Sequence, residues 1–346
     1  MKPIYDAASS NRAKGCFMSV CLFALLHLVG CSANQPPQLN QLDLKNGPVY
    51  CLAYQPNGNQ LAVGVGSQLI VLEKNQESRL FEYDALDHGR VIRCVYTKHS
   101  EMLLSAFEAG HVKGFDTKTW KEAFAFDIPG GVYSMDLSAD GEVLALGCGG
   151  GKIVLWSLEK RVQKATIRVS EAVLQSIRFD SQKKLLVTGG TDGRVSVVDV
   201  ERQTLVKEFR VKKNEDASIS CVEFGPQDDE IVASCLNHGL VVVWNLTTGR
   251  EKLRMTTEFT NVHSFVLTQD RKALVAACSQ KGREKYVGGG VVVWNTKTGK
   301  EIVAFPCHLS GVLGLAFSSD WKQLATAGRD SKVSIWDIHK VMAKEN

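Results

Sequence analysis

From Val49 to Asp337 the chain alternates short apolar runs with polar turns; the runs are rich in Val, Ile and Leu, and the turns hold Asp, Asn and Gly. Runs of about four to eight such residues between turn formers predict strands joined by hairpins. The spacing is regular. Seven segments begin at Val49, Val91, Val132, Val173, Ile219, Val262 and Val312, in steps of 42, 41, 41, 46, 43 and 50 residues. "VLGLAFSSDWKQLATAGRDSKVSIWD" lies over "VYSMDLSADGEVLALGCGGGKIVLWS" and "VLQSIRFDSQKKLLVTGGTDGRVSVVD" with few or no gaps. In each unit an alternating run ends at a polar turn such as "SADG" or "QPNG", and a second ends at Gly or Asp. A third ends in "VLW", "VVW" or "SIW". A fourth follows turns such as "NLTTGREKLRM", where Thr-Gly supplies a residue able to take positive φ. Four antiparallel strands per repeat predict one propeller blade per unit.

The third runs close on Trp156, Trp244, Trp294 and Trp336, with Asp337 after the last. In that register, over residues 39–338, the chain resembles the WD-repeat family. The resemblance implies an all-β fold, a seven-bladed WD-repeat β-propeller. It also implies a structural tetrad, complete in the last unit: His308 ahead of the first strand, Thr326 on the second, Asp330 in the next turn and Trp336 on the third. In the fourth unit Thr188 and Asp192 stand without the Trp, and in the fifth His238 occupies the Asp position. A propeller must close, or its sheet edges stay open. The last unit has three strands, and "QLNQLDL" from Gln38 to Leu44 alternates with no partner of its own. Residues 39–45 are therefore expected to be an N-terminal strand closing the last blade.

Ahead of the repeat, Phe17 to Val29 form an apolar run of 13 residues preceded by Arg12 and Lys14. A membrane-spanning helix needs roughly 20, whereas a signal-peptide core is this short. The run ends in Leu28, Val29, Gly30 and Cys31, which resembles the lipobox of bacterial lipoproteins. That resemblance implies cleavage before Cys31 and a diacylglyceryl group on its thiol, the best nucleophile available there. A chance match at the end of an ordinary signal peptide or a buried helix is the alternative. Ser32, where an aspartate would imply inner-membrane retention, favours the outer membrane. The map is then a lipoprotein signal peptide over 1–30, a lipid-anchored linker over 31–38 stiffened by Pro36 and Pro37, the propeller over 39–338, and a tail over 339–346.

Charge narrows the partners. The formal net charge of +4 falls to +2 without residues 1–30, 38 basic against 36 acidic residues, so no global field favours nucleic acid. Seven of the ten cysteines lie in the body, odd in number and without a CxxC pair. They read as buried thiols, which argues for a reducing compartment and so against export. No GxSxG, HExxH, EF-hand loop or CxxCH is present, and no cofactor or metal is implied. "GCGGGK", Gly147 to Lys152, leads into "IVLW" rather than a helix, so it reads as a hairpin turn and not a phosphate loop. The first strands offer few acidic or histidine groups to a channel.

The lengthened unit carries more information. The sixth inserts "SQKGREKYVGGG", residues 279–290, as a cationic loop with Lys281, Arg283, Lys285 and Tyr286 between glycine hinges. Glu108, Thr191, Asn237 and Arg329 occupy the position before the turn aspartate, where the family often places contact residues. The reading is a non-enzymatic protein-interaction scaffold of the cell envelope. It is a monomeric propeller, anchored to the membrane through lipid on Cys31 and binding protein partners on its top face. A cytosolic scaffold with a misread N-terminus, or a propeller enzyme, is the alternative.

Overall fold

The computed structural model describes residues 35–74, 78–211, 217–227, 229–282 and 286–338. Among them are seven antiparallel sheets of four strands each. Blade one is Val49–Tyr54, Gln60–Val65, Gln68–Glu73 and Arg79–Asp84, and the next five repeat that simple up-and-down order. Blade seven is built from Val312–Phe317, Gln323–Gly328, Lys332–Asp337 and, at its outer edge, Gln38–Asp43. The first strand of each blade packs against that of the next, and the first strand of blade seven packs against that of blade one, so the ring closes.

The sequence pattern follows from which faces are covered. Second and third strands such as Val143–Cys148 and Leu240–Asn245 lie between two neighbouring blades and are buried along almost their whole length, hence their unbroken apolar runs. Fourth strands such as Glu122–Asp127 alternate with solvent. Seven apolar clusters fill the seven blade interfaces, among them one joining Val187 and Val197 of blade four to Val222 and Trp244 of blade five. The cluster between blades seven and one contains Leu42 and Leu44 together with Val333 and Val63.

Closure occurs where the alternation of "QLNQLDL" placed it, with shifted bounds. The strand begins at Gln38, one residue inside the expected linker, and ends at Asp43, because Lys45 adopts φ 63° and turns the chain away. Gln41 faces Ser334 and Asp43 faces Lys332. The ladder is extended at both ends, by Asp337 N donating to Pro37 O at 2.9 Å and Leu44 N donating to Ser331 O at 3.0 Å. Turns between second and third strands, and links between blades, share one face, the top. The hairpins joining strands one to two and three to four form the bottom. Gln38, opposite Trp336, enters at the bottom.

Blade six departs from the expectation of a loop at 279–290. Its second and third strands simply grow longer, to Ala273–Lys281 and Tyr286–Asn295, with Gln280 opposite Gly288 and Ser279 opposite Gly289. The glycines serve close approach more than hinging. A Cβ on Gly289 would meet the Gly311 Cα at 2.3 Å, so the return strand packs closely there on the link entering blade seven.

Candidate functional site

In blade seven a chain of hydrogen bonds runs from the top turn down into the sheet. His308 Nδ1 is 2.9 Å from Asp330 Oδ1, His308 Nε2 is 2.8 Å from Thr326 Oγ1, and Trp336 Nε1 donates to Thr326 Oγ1 at 3.1 Å. A carboxylate only accepts and an indole only donates, so the histidine carries a proton on Nδ1, and the threonine hydroxyl, which accepts from the indole, has both His308 Nε2 and, at 3.3 Å, Ser334 O within reach. Asp330 also accepts from Leu309 N and Lys332 N at 3.0 and 3.3 Å. These bonds pin the last top turn to the link before it, so Arg329 is held by a rigid turn. Burial opposes ionisation of Asp330, but His308 and the two amides outweigh it and lower the carboxyl.

The turn residues have different fates. Asn237 and Thr191 are exposed on the top, and Asn237 is set at φ 69° with its amide donating to Asn261 Oδ1 at 3.0 Å. Glu108 is clasped by Arg90, whose guanidinium also lies 5.0 Å above the Tyr50 ring. Arg329 is half-buried, and its charge, after burial, lowers His263 to about 4. His263 is bonded to Ser279 Oγ at 2.7 Å. Lys281 is exposed at the end of the long strand of blade six, its amide held by Thr260 Oγ1 at 2.7 Å. Tyr286 opens the return strand, while Arg283 and Lys285 lie outside the described residues, as do Leu28, Val29, Gly30 and Cys31.

The first strands hold more charge than expected, Asp136 and Glu223 among it. Asp136, Arg178 and Glu223 come from blades three, four and five, and they interact only because the ring brings those strands side by side. Arg178 Nε is 3.5 Å from Glu223 Oε2, and Asp136 Oδ2 accepts from Phe179 N at 2.8 Å. Burial raises Asp136 and lifts Glu223 to about 7, with Arg178 opposing. Burial lowers Arg178, but Asp136 and Glu223 more than restore it. From blade two, Arg93 adds a guanidinium whose Nε is buried with no hydrogen-bond partner. Spacing within one repeat cannot signal this cluster, whose members are about 40 residues apart. Among the described residues no group of three or more His, Cys, Asp or Glu is arranged to hold a metal ion.

Sheet order and ring closure together define a seven-bladed β-propeller, and two of its stretches are similar to WD40 family models. The family model "WD domain, G-beta repeat" matches residues 299–337, the unit with the complete tetrad, and "Anaphase-promoting complex subunit 4 WD40 domain" matches residues 159–227. The chain is 25% identical over 203 residues to WD repeat-containing protein 89 homolog of Dictyostelium discoideum, a match covering 58% of this chain and 55% of that protein. It is 26% identical over 129 residues to cytoplasmic dynein 2 intermediate chain 2 of Mus musculus, covering 36% of this chain and 24% of that one. The matched stretches thus span about half and about a quarter of those proteins.

Proposed function

We propose that this protein is a non-enzymatic scaffold, lipid-anchored through Cys31 in the cell envelope, that binds a protein partner with its top face. WD-repeat propellers are typically interaction scaffolds without catalytic activity. The observation that carries the reading is the long hairpin of blade six, whose strands of 9 and 10 residues compare with 6 in most others. Its described ends bring Lys281 and the start of the return strand at Tyr286 to the top face. Contact residues carried on strands lose little entropy when a partner binds. The tether agrees with this use of the top: Gln38 enters at the bottom, and seven residues from Ser32 span at most about 25 Å. Lipid on Cys31 would therefore hold the bottom toward the bilayer.

A cytosolic scaffold is the second reading. It is favoured by the word cytoplasmic in the name of the mouse relative and by seven free body thiols, six of them buried. One experiment separates the two and tests the binding face. Cells are fed radioactive fatty acid, and the wild type is compared with Cys31→Ala and with the pair Lys281→Glu and Arg329→Glu in cross-linked pull-downs. The envelope reading expects label in the wild type and in the charge-reversed pair, none in Cys31→Ala, and at least a tenfold loss of the captured partner in the pair. An unlabelled wild type sinks the anchor. Undiminished capture by the pair sinks the assignment of the face.

A further inference from the structure

Cys51 lies on the first strand of blade one and Cys94 on the first strand of blade two. Their sulfurs are 3.5 Å apart, in van der Waals and hydrogen-bonding contact, across the interface between blades one and two. Each thiol also lies 4.0 Å from a backbone carbonyl, Cys51 from Val91 O and Cys94 from Ala62 O. The local sequence makes room for the encounter. Gly64 stands opposite Cys51 in the ladder, and a Cβ there would fall 2.6 Å from the Cys51 sulfur and 2.8 Å from Val91. Its φ is not in the left-handed region, so space, and not backbone freedom, is what the glycine supplies.

We propose that Cys51 and Cys94 are an oxidisable pair that closes into a disulfide, clasping blade one to blade two beside the ring axis. Closing it needs the sulfurs to approach by about 1.5 Å, within reach of a small rotation of each side chain. The pair is also chemically poised. The Cys94 thiol as hydrogen-bond partner and then the charge of Arg93, working against burial, lower Cys51; hydrogen bonding to Cys51 and burial raise Cys94. Attack is assigned to Cys51 and resolution to Cys94, an order that the dimedone experiment below tests. With a peroxide as oxidant the steps balance. The Cys51 thiolate takes the terminal oxygen of hydrogen peroxide and releases hydroxide, giving a sulfenic acid. Cys94 sulfur then displaces the sulfenic oxygen as water, its proton leaving with that oxygen. Two thiols and one peroxide become one disulfide and two waters.

The clasp goes beyond scaffolding and does not depend on the state of Cys31. It would close a 43-residue separation in sequence and so restrict the unfolded chain. Its test uses the folded protein and hydrogen peroxide. After exposure, free thiols are alkylated in denaturant and the digest is read by mass spectrometry. The expected product is a peptide linking Cys51 to Cys94, with both lost together from the alkylated pool and recovered with dithiothreitol, and a Tm a few degrees higher. In Cys94→Ser the link is absent and dimedone labels Cys51; Cys94→Ala serves if the serine variant loses its fold by circular dichroism. Two thiols that stay alkylatable, that pass to sulfonic acid without linking, or that link with no rise in Tm would overturn the proposal.

Discussion

At the scale of single residues, the tetrad shows how one hydroxyl can decide a blade. Thr326 accepts from Trp336 and is hydrogen-bonded to His308, both fully or nearly buried, so Thr326→Val leaves an indole N–H and an imidazole nitrogen unpaired. The loss should be about 2–4 kcal/mol, with Thr326→Ser costing about 1 kcal/mol or less. Blade four supplies the control. Thr188 occupies the matching register position, but Val198 stands where Trp336 does, and the Thr188 hydroxyl is buried without a partner. Thr188→Val should therefore be neutral or stabilising by up to about 1 kcal/mol. Urea unfolding of the three variants checks the contrast, and equal costs for the two valines would refute it. The same comparison explains what a sequence can say about such sites. In blade seven the four residue types sit inside one repeat, where spacing alone brings them together. Blade three retains Trp156 but has Leu146 at the Thr position, and its indole N–H is left without a partner; a Trp at the end of a third strand marks register, not a network.

At the scale of strands, legibility depends on whether the partner is local. The hairpins inside each blade were readable because turn chemistry and alternation belong to contiguous sequence. The closing strand was readable by elimination: an alternating segment without a neighbour and a blade without a rim. Its bounds were less so, since the left-handed Lys45 that ends it carries no glycine or asparagine signal. The blade six hairpin was visible as extra length but not as strand. Its glycines suggest mobility in isolation, whereas the contact of Gly289 with Gly311 that explains them lies across a blade boundary. The closing strand has the larger energetic consequence. Leu42 and Leu44 are 3% and 6% exposed, each worth about 1.5–3 kcal/mol on burial, and the strand also covers the third-strand edge of blade seven. A chain beginning at Asn46 should lose 10 °C or more in Tm and self-associate through the exposed edge, whereas removing residues 340–346 should change Tm by less than about 2 °C. Adding residues 36–45 back as a peptide should restore part of the loss, as an added strand does in β-augmentation. Similar Tm values for the two truncations would contradict this.

For the whole molecule, the acidic and basic groups that meet on the first strands make stability respond to pH in a way no single blade could. Glu223 keeps its proton to about 7 in the folded ring, against 4.5 ordinarily, because burial and the Asp136 charge outweigh Arg178. Between those values the native state binds more protons than the unfolded chain, so this group costs stability as pH rises from 4.5 and reaches its full penalty above 7. The size is about 1–3 kcal/mol, allowing for water near a half-buried carboxyl. His263 works in the opposite sense: lowered to about 4, it contributes stability that is complete above 6.5 and lost as pH falls. The two overlap, so the raw stability curve of the wild type can be nearly flat, and the difference from a variant is the informative quantity. Glu223→Gln should match the wild type near pH 4.5 and exceed it by about 1–3 kcal/mol at pH 8, the gap opening between the two pKa values. Denaturant melts at half-unit pH steps would show it. A gap that is constant with pH would mean that Glu223 acts there as a packing group alone, and that the ring does not hold its proton.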